Sequence, residues 1–471
     1  MATDIRFGTD GWRAIIAEDF TFANVARCAQ GLAGYLKSIG SADMGLVVGY
    51  DTRFLSREFA ETVAGVLAGN GVRVFLSQVA APTPVFSFNV LHHKAAGAAI
   101  ITASHNPGIW NGFKFKPEYA GSATQEITDQ LEQAIAEAPD PVYIQVDQAR
   151  GEGLIVDIDP APPYLDRIGS LVDLKSIKDA GLQVLVDAMF GAGAGYIPGL
   201  ISGGATRVTE LNGSRNPAFP GMEQPEPIAH NLVGLIEAVK SEGAAVGLAL
   251  DGDADRVGVV DENGRFITTL EVFSLLALYL LDQKGQRGAL VKGVTSSMML
   301  NKLGQQFGVE VREMKVGFKY IGPEMSRVDA LMAGEESGGF AFRGHIPERD
   351  GILSGLLVLE YMARTGMTAS QLIQHLFQQV GPHHYQRRDV AFRAEDRARI
   401  QERLSSGELT ELAGRPVRQT DDIDGRRLVF DDGWLISRFS GTEPLLRIYA
   451  EATDADTVTA LLDAAAEYLG V

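Results

Sequence analysis

The chain has 471 residues, 45% hydrophobic and 22% charged, a balance typical of soluble globular proteins and too long for a single core. Its formal net charge of -18 argues against nucleic acid and anionic lipid as partners, and any anionic ligand must be met by locally gathered cations. The single cysteine, Cys28, excludes an internal disulfide, and the longest apolar run, 272–281, falls short of the ~18 residues of a membrane span.

The opening stretch "FGTDGWR" (Phe7–Arg13) is a glycine-punctuated turn leading to an arginine, with no basic flank or apolar core that would make a secretory signal. A cytoplasmic protein is expected. "MGLVVGYDTR" reads as a strand ending at Tyr50, residues 57–68 as a helix, and "VRVFLSQ" and "AAGAAIITAS" as further strands. The last of these breaks into T-A-S-H-N-P, which puts Ser104, His105 and Asn106 in the first polar turn after a buried strand. "EAPDPVYIQV", with two prolines, closes a first unit over 1–150. "LQVLVDAM", a helix at 231–240 and "AAVGLALDGDADRVGVVD" make a second over 151–256. "GALVKGVTSS" and "ALMAGEES" belong to a third over 257–380. "QQVGPHHYQRRDV" sets off the remaining residues, 381–471, whose strands read as antiparallel with flanking helices. Short apolar strands alternating with helices predict mainly parallel α/β layers, which bind ligands at the carboxyl ends of their strands. No short repeat is visible by eye.

The strongest polar cluster is "LALDGDADRVG". Asp251, Asp253 and Asp255 alternate after an apolar run, so on an extended segment their carboxylates share one side, at a cost unless a cation neutralises them. Oxygen-only ligands suit a hard ion such as Mg²⁺. An EF-hand also has D-x-D-x-D spacing, and Glu262 stands twelfth; but Arg256 occupies the sixth position, where glycine is required, and a strand precedes the loop. A solvated acidic turn is the plainer alternative. "ISRFSGTEPLLRIYAE" supplies Arg438, Ser440, Gly441 and Thr442 between two apolar strands, with Arg447 close behind. Hydroxyls, bare backbone and a guanidinium fork can surround a phosphate, although S-G-T also fits a simple hairpin turn. In "AGEESGGFAFRGHIPERDG", Glu335 and Ser337 flank a Gly-rich turn and offer acceptor and donor groups suited to sugar hydroxyls, or else form a flexible acidic loop. No Gly-Lys dipeptide exists for a Walker A loop. "VLVDAMFGAGAGY" imitates a dinucleotide fingerprint but has Tyr196 where the third glycine belongs.

Taken in order, "TASHNP", "DGDADR", "GEESGG" and "RFSGTEPLLR" resemble the phosphoserine, magnesium, sugar and phosphate loops of the α-D-phosphohexomutases. The resemblance runs from Phe7 to Arg447. It implies an α/β protein of four domains around a central cleft: three related mixed α/β domains and a smaller, mobile C-terminal α+β domain. It further implies that Ser104 carries a phosphoryl group and that Mg²⁺ is bound by Ser104, Asp251, Asp253 and Asp255. A hexose 1,6-bisphosphate would serve as intermediate and activator. Lys114, in "NGFK", matches the family's proton-transfer group; its ordinary pKa is too high for a base, so a cationic neighbourhood such as Arg13 is expected to lower it. His105, Arg13 and Arg256 match active-site positions, while Lys319 and Arg349 are expected substrate contacts beside Glu335, Ser337, Arg438, Ser440, Gly441, Thr442 and Arg447. "GEESGG" followed by "HIPERDG" looks more like phosphoglucomutases than phosphomannomutases, which carry histidine where Gly339 stands. Mannose and glucosamine phosphates, a bisphosphate-synthase role, a non-catalytic phosphosugar sensor and a metal-dependent phosphatase are the competing readings. Partners are expected to be small phosphosugars, on a monomer or small homo-oligomer.

Overall fold

The computed structural model describes residues 5–8, 10–405, 409–440 and 445–471. Four stretches of chain each build a principal sheet. In the first, Leu46–Tyr50, Val74–Ser77 and Gly97–Ile101 are parallel, and Trp110–Pro117 returns antiparallel beside Gly97–Ile101. The second repeats this with Gln183–Asp187, Arg207–Leu211 and Val246–Leu250, and Val257–Asp261 as the return strand. The third does so with Leu290–Gly293, Val311–Met314 and Met332–Gly334, returned by Phe340–Phe342. In each unit the earliest of these strands lies between the next two, and the return strand pairs with the third. A four-strand topology is therefore used three times. The sequence hides the repeat because topology constrains which positions are buried and leaves residue identity free.

That repeat positions the chemistry. The turn between third strand and return strand is 102–109 in the first unit, 251–256 in the second and 335–339 in the third. The strands leading into these turns, Gly97–Ile101, Val246–Leu250 and Met332–Gly334, are buried throughout. Parallel strands covered on both faces tolerate apolar residues only, so polar groups gather just beyond their carboxyl ends. The fourth sheet is wholly antiparallel, from His384–Ala391 to Gln419–Asp421, and has its own core of Leu435, Ile448 and Leu461 under helix Ala455–Leu469. The architecture is thus three related mixed α/β domains and a smaller α+β domain around a cleft.

Two expected breaks cut through sheets. Ile155–Ile158, beyond residue 150, pairs in parallel with Val74–Ser77, and Val257–Asp261 and Phe266–Ile267, beyond residue 256, remain in the second sheet. Prolines and polar turns mark where chain reaches the surface, whereas sheet membership is set by hydrogen bonds to distant strands. One apolar core runs across the first three units and includes Phe86, Leu248, Phe273 and Leu356, so their turns are held against one another. The C-terminal domain meets the third unit through a smaller cluster of Val294, Trp434, Ile436 and Tyr449. Helix Gly351–Thr365, capped by the Asp350 side chain accepting from Leu353 N–H, starts hard against the 251–256 turn. A Cβ at Gly351 would lie 2.4 Å from the Arg256 carbonyl oxygen.

Candidate active site

The first two turns meet at Ser104. Its backbone is left-handed, φ +53°, and its N–H donates to Thr102 Oγ1 at 2.9 Å. Ser104 Oγ donates to Asp251 Oδ2 at 3.1 Å and lies 3.4 Å from His105 Nδ1. The approach requires glycine opposite: a Cβ at Gly252 would lie 2.4 Å from the Ser104 carbonyl oxygen.

Asp251, Asp253 and Asp255 are fully buried and bring carboxylate oxygens within 4.8 Å of one another. Asp253 Oδ2 accepts from Thr83 Oγ1 at 2.6 Å and from Lys114 Nζ at 2.8 Å. Asp253 Oδ1 and Asp255 Oδ1 have no hydrogen-bond partner among the described residues. Buried carboxylate oxygens without a partner are costly, and a hard divalent cation fits that unmet capacity. The electrostatics point the same way. Burial, then Asp255 and Asp253, push the Asp251 carboxyl well above its ordinary range. Burial acts on Asp253 too, but Lys114 outweighs it and holds that carboxyl low. Like charges this close cannot all stay ionised without a cation.

Lys114 corrects an expectation. Burial pushes its ammonium down, but Asp10 at 2.8 Å, Asp253 at 2.8 Å and Asp255 at 3.7 Å outweigh burial and drive the pKa above its ordinary value. The cationic neighbourhood expected to free the amine is outnumbered by carboxylates. Arg13 instead donates to Asn106 Oδ1 at 2.5 Å and supports the 102–109 turn. His105 is driven well below its ordinary pKa by burial and by Arg256 and Arg13, so at neutral pH it is an uncharged imidazole.

The third turn joins through Arg349. Its Nη2 lies 2.8 Å from Asp10 Oδ2 and 2.9 Å from Asp255 Oδ2, and its Nη1 lies 3.8 Å from Glu335 Oε2. Glu335 Oε1 accepts from Gly317 N–H at 2.9 Å. Arg256 pairs with Glu226 at 2.7 Å, and its N–H donates to Asp251 Oδ1 at 3.1 Å. Ser337 is half-buried in the glycine turn. Lys319 donates to Gln125 Oε1 at 2.7 Å, across from the third unit to the first. Ser104, His105, Lys114, Arg256, Arg349, Glu335 and the aspartates thus form one assembly, whereas Arg438 and Arg447 stand apart on the fourth sheet, with Ser440 just beyond the Gly433–Phe439 strand. Among the described residues no hydrogen bond or ion pair joins those three directly to Ser104 or the aspartates. Arg438 and Arg447 face each other across adjacent strands, paired with Asp424 at 3.1 Å and Asp389 at 3.7 Å. Opposed arginines repel unless anions lie near. Gly441 and Thr442 lie outside the described residues.

Sequence reasoning passed over Asp10, on which Lys114, Lys116 and Arg349 all converge. Lys116 also meets Glu348 Oε2 at 2.6 Å. One signal was available: K-F-K spacing on a strand puts Lys114 and Lys116 on one face. Asp10 itself sits in a turn that nothing local ties to either lysine.

The chain matches the phosphoglucomutase/phosphomannomutase alpha/beta/alpha domains I, II and III over residues 4–141, 162–264 and 270–380, and the C-terminal domain over 393–468. A phosphoglucomutase/phosphomannomutase of Thermococcus kodakarensis is 33% identical over 95% of this chain and 94% of its own. A Pyrococcus abyssi protein provisionally named phosphoglucosamine mutase is 32% identical over 98% and 96%. A crystal structure from Thermus thermophilus, provisionally named phosphomannomutase, is similar with a TM-score of 0.87 and 35% identity over 100% of both chains. With four domain families matched in order and relatives matched along nearly its whole length, the chain belongs to the phosphoglucomutase/phosphomannomutase family, the phosphohexomutases.

Proposed function

We propose that this mutase interconverts hexose 1-phosphate and hexose 6-phosphate, glucose phosphate foremost, through a phosphoserine at Ser104 and a hexose 1,6-bisphosphate intermediate. The observation that carries the reading is the meeting of Ser104 Oγ with Asp251 Oδ2 at 3.1 Å, beside the buried aspartate cluster and the Lys114 ammonium.

Asp251, Asp253 and Asp255 would hold magnesium, which when bound supplies positive charge toward the oxygens of a phosphoryl group on Ser104. In the forward transfer the bond between phosphorus and Ser104 Oγ breaks, with Oγ keeping the bonding pair and taking up a proton, while a bond from phosphorus to the free sugar hydroxyl forms and that hydroxyl loses its proton. Lys114 can accept the proton only as a free amine, so the carboxylate charge around it must first be reduced; as an ammonium it steadies the charge on the transferring group. In the return transfer the proton leaves Ser104 Oγ as the bond to phosphorus forms. The neutral His105 Nδ1, at 3.4 Å, is an acceptor within reach of it. Phosphoryl transfer asks mainly for positioning and charge compensation, which suits this crowded, buried arrangement.

Glu335 and Ser337 suit sugar hydroxyls, with Arg349 tying Glu335 to the aspartates and Lys319 nearby on the same unit. Arg438, Ser440, Gly441, Thr442 and Arg447 suit the phosphate that is not being transferred. Both ends of the sugar must use the site in turn, so a few hydroxyl contacts plus one phosphate anchor meet the need. The "GEESGG" loop favours glucose; the naming of relatives as phosphoglucosamine mutases keeps the amino sugar as a second reading.

The test is turnover of glucose, mannose and glucosamine 1-phosphates, each with and without added bisphosphate, alongside intact-mass measurement. We expect glucose 1-phosphate to turn over fastest, a requirement for bisphosphate, and a removable increment of about 80 Da on the Ser104 peptide. Release of inorganic phosphate without isomerisation, or the same activity in Ser104→Ala, would overturn the proposal.

A further inference from the structure

Arg53 is fully buried, and its guanidinium Nη1 and Nη2 donate to the turn that carries Ser104 and to the first residue of the strand that follows it. Its Nη2 donates to the carbonyl oxygens of Ser104 and Asn106, both at 2.6 Å, and its Nη1 to those of Pro107 at 2.9 Å and Trp110 at 3.1 Å. Four carbonyl dipoles converging on one point repel one another unless a cation with several donors in a plane fills the gap. A guanidinium has that geometry, whereas an ammonium is a point charge with three donors.

The fork is itself held. Asp51 Oδ2 lies 3.1 Å from Arg53 Nε, and Asp51 Oδ1 accepts from Arg53 N–H at 2.9 Å and from Ser56 Oγ at 2.8 Å. The Phe219 ring of the second unit covers the guanidinium at 5.0 Å, and Arg215 donates to the Arg53 carbonyl at 3.0 Å. The bracing matters because Ser104 is left-handed, a conformation unfavourable for a non-glycine residue. The Ser104 carbonyl is one of the groups Arg53 grips.

We propose that Arg53 is a positioning residue for phosphoryl transfer: it acts through Ser104, locking the turn so that Oγ faces the aspartates. This rests on the role proposed for Ser104. Misplacing a reacting atom by about 1 Å costs a rate factor of about 100, so the effect should fall on the transfer step and spare binding.

The experiment compares Arg53→Lys with the parent in three measurements: kcat and KM for glucose 1-phosphate, the rate of Ser104 phosphorylation by glucose 1,6-bisphosphate, and magnesium affinity by calorimetry with magnesium alone. We expect kcat and the phosphorylation rate to fall together by about 100-fold, with KM and magnesium affinity within about threefold. A kcat within about threefold of the parent, or a loss that merely tracks the unfolded fraction in a thermal melt, overturns the proposal. If Arg53→Lys does not fold, Asp51→Asn replaces it. That change loosens the guanidinium while leaving its four carbonyl contacts, and should slow phosphorylation about tenfold at unchanged KM; an unchanged rate again overturns the proposal. A parent enzyme that never acquires phosphate on Ser104 defeats the functional reading instead, so the two failures are distinguishable.

Discussion

Lys114→Met isolates the electrostatics of the site. The side chain is fully buried, and methionine fills similar space without charge. At 2.8 Å and an effective dielectric of about 20, each of its contacts with Asp10 and Asp253 is worth about 6 kcal/mol of gross attraction, and the 3.7 Å contact with Asp255 about 4.5. Desolvation of the ammonium cancels much of this, and Asp10 keeps Lys116 and Arg349 as partners. The net loss should fall in the range for a buried pair broken from one side, about 3–5 kcal/mol. Because the loss is carboxylate charge left uncompensated, magnesium should return part of it: at a hundred times its Kd, binding adds about 2.7 kcal/mol. The assay is guanidinium chloride unfolding with and without magnesium, followed by fluorescence of Trp12 and Trp110, which lie on the first sheet. We expect magnesium to stabilise the variant more than the parent, and kcat to fall at least about 100-fold. A variant within about 1 kcal/mol of the parent without magnesium, or an equal magnesium increment in both, would refute the reasoning.

Asp253→Asn should weaken magnesium affinity at least about tenfold by calorimetry, and chelation should abolish turnover until magnesium alone is restored. Arg438→Met and Arg447→Met should each lower kcat/KM about 10- to 100-fold, chiefly through KM, as expected for losing a charge-assisted phosphate contact worth about 1.5–3 kcal/mol. Glu313 sits where the third unit meets the C-terminal domain. Burial pushes its carboxyl up, but Lys292 at 3.1 Å and Arg427 at 2.6 Å outweigh this and bring it down to about 2. A depressed folded pKa means the stabilisation is complete above the ordinary value of 4.5 and disappears as pH falls toward 2. The loss is at most about 3.4 kcal/mol. Acid titration of the emission of Trp434, which packs at that junction, should show this loss, and Glu313→Gln should flatten it.

The strands ending at Tyr50, Ile101 and Leu250 and the antiparallel character of the last domain were legible, because burial on both faces forces continuous apolar runs. The chemical turns were legible for the same reason: polar residues placed at once after a buried strand must lie at its carboxyl end. The aspartate triad is local, three carboxylates within five residues, so its spacing alone pointed to a cation. The threefold use of one topology was not legible, since equal strand order needs no equal residues.

What escaped the sequence is interaction across distance. Lys114 meets Asp253 across 139 residues, and Arg349 meets Asp10 across 339. The protonation of Lys114 therefore came out opposite to expectation, because a pKa depends on which charges surround a group and how much water is excluded. Arg53 has the same origin: nothing near "YDTRF" announces that four carbonyls from residues 104–110 will close around it. Local patterns specified which groups the protein possesses and at which strand ends they lie. Folding specified their charge states and partners, because those are properties of the shared, dry space between units that no single segment contains.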